Sequence, residues 1–122
     1  MQNKLVYIFL FFHISLFAQI NLVPNPSFED TINCPQGPDE VSKCKDWSRY
    51  KYSPDYFNSC DISFGVSTPI NFSGYQIPKS GNAYVGVATY ITRTQFPNFR
   101  EYIGAKLTST LVIGQKYFFS MR

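Results

Sequence analysis

The sequence predicts an all-β protein. Three observations predict it. From residue 19 onward Pro, Gly, Ser, Thr and Asn punctuate the chain throughout. Helix formers are sparse, and aromatics are abundant. The best-patterned run, residues 83–91, is rich in β-branched and aromatic side chains and alternates with a period of about two, not the about 3.6 of a helix.

Residues 1–18 read as an export signal. Lys4 gives a positive start, residues 5–17 are apolar apart from His13 and Ser15, and Ala18 is a small residue suited to a cleavage site. A run of 13 residues is shorter than the about 20 that a membrane span needs. Nothing beyond Ala18 is long and apolar enough to span a bilayer, and no cysteine marks a lipid anchor. The chain is therefore expected to be secreted or held in the cell envelope, with residues 19–122 forming one small domain.

Loss of Lys4 leaves ten basic and eight acidic side chains, too even a balance to suggest nucleic acid. Lys43, Lys45, Arg49 and Lys51 lie close together and read as a solvated loop. Loss of His13 leaves no histidine. That rules out Ser-His-Asp and Cys-His nucleophile systems and histidine-ligated zinc. A carboxylate pair is the hydrolytic design that survives, but the acidic residues show no catalytic spacing. The chain reads as non-enzymatic.

Cys34, Cys44 and Cys60 form no Cys-x-x-Cys pair, so neither zinc nor a redox motif is indicated. In an oxidising compartment two should pair. Cys34 and Cys60 bracket a long irregular segment, and closing it would stabilise the fold by about 3 kcal/mol through the unfolded chain's entropy. Cys44 is then the spare. A Cys34–Cys44 bridge is the rival that the sequence leaves open.

In chain order, residues 21–29 read as a first strand, confined by Pro24 and Pro26 to an edge or a kinked start. Residues 30–81 are irregular, with short strands around Trp47 and at 64–66; so long a loop is often functional. Residues 83–91 form a strand. Ala83, Val85, Val87, Thr89 and Ile91 make its core face, and Tyr84, Gly86, Ala88 and Tyr90 the other. Residues 100–107 alternate less cleanly, and residues 115–122 form a further strand set off by Gly114. Asn71-Phe72-Ser73 fits an N-glycosylation acceptor, and Ser80-Gly81-Asn82 is a turn signal.

Five pieces in fixed order carry a family likeness. They are Asn25-Pro26-Ser27-Phe28-Glu29; Trp47; the run from Ser80-Gly81-Asn82 to Val87; the run from Arg100 to Leu107; and Leu111 to Ser120 with its Tyr117-Phe118-Phe119-Ser120 ending. Together they resemble the galactose-binding-like jelly roll of non-catalytic carbohydrate-binding modules. More narrowly, Val23 to Glu29, Pro54-Asp55-Tyr56-Phe57-Asn58, Gly74-Tyr75-Gln76 and Ser80 to Tyr84 resemble the N-terminal domains of secreted Bacteroidetes-type envelope proteins. Many of those continue into an OmpA-like domain. Ile113 and Ala105 depart from the family's usual Pro and Gln.

The resemblance implies an antiparallel jelly-roll β-sandwich. It is expected to be incomplete at its C-terminal end, because the family's later strands would follow Ser120. The implied partner is a glycan or polysaccharide; the alternative is a structural or adhesion spacer of the envelope. Glu29 matches an acidic residue that often helps hold a structural calcium, whose hard charge suits oxygen ligands. Trp47, Tyr50, Tyr52, Tyr56, Phe57 and Tyr75 are the candidate stacking rings, and Arg100 and Glu101 could hydrogen-bond sugar hydroxyls.

Overall fold

The computed structural model describes residues 20–93 and 96–121. The expected export signal lies outside them. Among the described residues there is no α-helix, and no helix is long and apolar enough to cross a membrane. The chain is all-β. One 3-10 turn at Val41–Lys43 precedes eight short strands: β1 Trp47–Lys51, β2 Asp55–Asn58, β3 Ile70–Asn71, β4 Gly74–Tyr75, β5 Ala83–Gly86, β6 Ile91–Arg93, β7 Phe96–Phe99 and β8 Tyr102–Ala105.

The strands form four antiparallel pairs: β1 with β8, β2 with β5, β3 with β4, and β6 with β7. The pair β2–β5 is the centre. Tyr56 lies opposite Val85, Phe57 opposite Tyr84 and Asn58 opposite Ala83. Successive side chains leave a strand on opposite faces, so Tyr56 and Phe57 serve two different sides. Tyr56 packs with Cys44 and Ala83 in a buried cluster walled by Phe28, Trp47 and Val85. Phe57 turns the other way and stacks on Tyr84 with centroids 4.9 Å apart. Burying a ring of this size contributes about 2 kcal/mol. Gly86 is required there, since a Cβ would come within 2.8 Å of the Phe57 ring.

The long segment between Asp30 and Gly81 is stapled, as the cysteine spacing suggested. Cys34 and Cys60 are bridged, with Cα atoms 5.9 Å apart. Cys44 is the free, buried thiol. Burial pushes its pKa up to about 12.

Four strand assignments need correction. Residues 21–29 form a turn instead of a strand. Pro24 and Pro26 lack the N–H groups a ladder needs, and Asn25 and Phe28 adopt φ of 42° and 64°. Residues 64–66 form a bend, and the extra strands of this zone fall at β2 and in the β3–β4 hairpin. The run 83–91 breaks after Gly86. Ala83 and Val85 face the core as the alternation requires, but Val87 is exposed. Residues 115–121 carry no strand, and Phe118 and Phe119 are exposed. No described strand lies beside them to complete a ladder, and patterning without a partner does not make a sheet.

Candidate functional site

The N-terminal turn organises everything around it. The Asn25 amide donates to the carbonyls of Asp30 and Lys45 at 2.8 and 2.9 Å, and its side-chain oxygen accepts the Asp30 N–H at 3.0 Å. The Asn25 carbonyl accepts the Phe28 N–H and the Trp47 indole N–H, at 3.1 and 3.0 Å. The Phe28 carbonyl accepts the Tyr56 hydroxyl at 2.8 Å. The segment from Asn25 to Phe28 thus ties the first turn to β1 and β2.

Glu29 has a similar task. Its carboxylate accepts the backbone N–H groups of Asn82 and Ala83 at 2.9–3.0 Å, capping the turn that leads into β5. Gly81 sits at φ 64°, and a Cβ there would collide with that carboxylate. Among the described residues no three His, Cys, Asp or Glu side chains gather as metal ligands. The donors seen around Glu29 are N–H groups, which repel a cation, so the residues here do not fit a calcium ion.

An open groove of about 730 Å³ lies on the Phe57 side of β2–β5. Phe57 and Tyr84 line its floor, and the β3–β4 hairpin supplies Phe72 and Tyr75. The hairpin is anchored beneath. The buried Asn71 amide donates to the Tyr84 hydroxyl at 2.6 Å and to the Ser67 carbonyl at 3.2 Å. The Phe72 N–H donates to the Gly65 carbonyl at 3.0 Å. Phe72 and Tyr75 themselves remain 55% and 67% exposed. The hairpin backbone therefore holds both residues at the groove, the Phe72 ring 5.6 Å from that of Phe57, while much of each side chain stays exposed.

Three carboxylates complete the lining: Asp39, Asp55 and Glu101. Glu101 accepts the Ser53 hydroxyl at 3.1 Å and the Ala88 N–H at 2.7 Å. Asp55 accepts the Asp39 N–H at 2.9 Å. Burial raises the Asp55 pKa; the Asp39 N–H opposes the rise, and the negative charges of Glu101 and Asp39 add to it.

The sequence-selected residues divide sharply. Tyr75 stands open at the groove. Phe57 lines it but is only 2% exposed. Tyr56 has no exposed surface and cannot stack on a sugar in this structure. Trp47 is half-buried, its ring 4.8 Å from that of Phe28. Arg100 is exposed, but its guanidinium lies over the Tyr90 ring at 5.8 Å and does not line the groove. Glu101, selected together with it, does line the groove. Phe72, Asp39 and Asp55 were not selected. Alternation along β2 puts Asp55 on the Phe57 face, a signal available in the sequence. The hairpin that presents Phe72 was not legible there. The same Phe72 belongs to the Asn71-Phe72-Ser73 triplet, whose Asn71 amide is buried and engaged by Ser67 and Tyr84.

Comparison of the chain with family models, curated proteins and solved structures returned no match.

Proposed function

We propose that the chain is a non-catalytic glycan-binding module of a secreted or cell-envelope protein, with its antiparallel pairs belonging to a jelly-roll β-sandwich. One observation carries the reading: two exposed aromatic rings, Tyr75 and Phe72, border an open groove that also holds carboxylate and hydroxyl groups. Sugar rings present flat C–H faces and a rim of hydroxyls. They are met by flat side chains that supply area and by polar groups that accept hydrogen bonds. The hydrogen bonds that fix Glu101 and the hairpin mean that little order must be gained on binding. The Cys34–Cys60 bridge supports an oxidising compartment. Calcium has no part in the proposal, because the Glu29 carboxylate is taken by N–H donors.

Glycan-array binding by the purified protein tests the reading. Specific glycan signals that fall by about tenfold in Tyr75→Ala, with an unchanged circular dichroism spectrum, are the expected result. Absence of binding to every glycan by natively folded protein would instead leave the spacer role.

A further inference from the structure

The lining of the groove has a one-sided charge that the chain as a whole does not share. The sequence carries 11 basic and eight acidic residues, for a net charge of +3. Yet three of those eight acids line the groove, and none of the described residues lining it is Lys, Arg or His. The three come from separate places: Asp39 before the 3-10 turn, Asp55 on β2, and Glu101 before β8. Among the described residues none of them meets a base in an ion pair; the ion pair formed is Lys43–Glu40, outside the lining. Their hydrogen bonds come from neutral donors, the N–H groups of Asp39 and Ala88 and the Ser53 hydroxyl. Neutral donors fix a carboxylate in place but leave its charge uncompensated.

Resting on the glycan-binding reading, we propose that this groove selects glycans bearing free amino groups, as in deacetylated amino-sugar chains, over their N-acetylated counterparts and over uronate chains. Both halves of the lining are then used. The pyranose face covers Tyr75 and Phe72, and the ammonium group lies against carboxylates and the negative faces of the rings. A uronate would bring its own charge against Asp39, Asp55 and Glu101, and like charges facing each other suppress binding. A bare metal ion would make no use of the rings. A basic peptide shares the charge but presents no flat face to them.

Calorimetric titration of the full-length exported protein decides the matter. The probes are length-matched oligomers of glucosamine, N-acetylglucosamine, galacturonate and lysine, at a pH where the amines are protonated and the carboxylates ionised. The expected result is glucosamine binding about tenfold tighter than N-acetylglucosamine, galacturonate weakest, and a preference that shrinks with added salt. The double variant Asp39→Asn, Asp55→Asn should lose the preference for glucosamine over N-acetylglucosamine. It should fold normally: Asn tolerates the φ of 66° at position 39, and its side-chain oxygen at 55 still accepts the Asp39 N–H. Equal affinity for the amine and N-acetyl forms, both lost in Tyr75→Ala, overturns the charge selectivity and leaves the glycan reading standing. Lysine oligomers binding as tightly as glucosamine would overturn it in favour of a basic peptide. No binding of any probe by folded protein overturns the amino-sugar selectivity, and the glycan array then decides the reading on which it rests.

Discussion

Asn25 is the residue on which the N-terminal turn depends. Its side chain makes three bonds to backbone groups of Asp30 and Lys45, and a longer contact to the Cys44 sulfur at 3.3 Å. Its φ of 42° also suits Asn better than most residues. Asn25→Ala should therefore destabilise the fold by about 2 kcal/mol, read as a lower midpoint in urea denaturation. Two aspartates should respond to acid in opposite directions. Burial disfavours the charged form of Asp61, but bonds from the Ser63 hydroxyl and from the Ser63 and Val66 N–H groups outweigh it, and its pKa is lowered. Its contribution is present above the unfolded carboxyl's pKa and is lost as pH falls through the folded value. Asp55 is raised, burial being the main cause, so its contribution is full below the unfolded pKa and is lost as pH rises through the folded one. Asp61→Asn should thus lower the melting temperature near neutral pH, and Asp55→Asn should raise it. Both differences should close in acid. Melting curves across the acid range check the pair, and a shift of the same sign for both would contradict it.

Among the elements, legibility followed how local the cause was. The β5 start was readable because Ala83 and Val85 face the core through simple alternation, and β1 was marked by Trp47. The turn at residues 21–29 was misread because its conformation is fixed by Asn25 reaching Lys45 and by the Trp47 indole reaching back. Those bonds cross about twenty positions, and no window of sequence reports them. Residues 115–121 have strand composition, yet the ladder partner that would make them a strand is absent from the described residues. The disulfide was legible for a different reason. It is a matter of spacing, although sequence alone could not separate Cys34–Cys60 from Cys34–Cys44. The bridge closes a separation of 26 residues, so reducing it should cost about 3 kcal/mol of stability by the loop-entropy argument. Denaturation with and without reductant measures that loss. In the same preparation Cys44, with its pKa near 12 and no exposure, should resist a thiol-reactive dye until the chain unfolds.

At the scale of the whole molecule, the aromatic-rich zone from Trp47 to Tyr75 serves two purposes that composition cannot separate. Tyr56 and Phe57 are neighbours in sequence, but β2 sends the first into the core with Cys44 and Ala83 and the second to the groove floor with Tyr84. Tyr75 is held away from both by the short hairpin that pairs Ile70 with Tyr75 and Asn71 with Gly74. Which ring faces the groove is thus decided by pairing partners distant in sequence. The site was legible as a region and not as a set of residues. Two substitutions separate the roles. Tyr56→Ala removes a fully buried ring and its hydroxyl bond to the Phe28 carbonyl, so it should destabilise the fold by about 3–5 kcal/mol, enough to unfold a domain of ordinary stability. Tyr75→Ala removes a largely exposed ring and should change the melting temperature little. Its effect should fall on glycan affinity alone. Thermal melts and glycan binding of both variants, run side by side, test the division. A stable Tyr56→Ala would mean that the Tyr56 cluster is not the core, and a Tyr75→Ala that keeps full affinity would move the binding face off the groove.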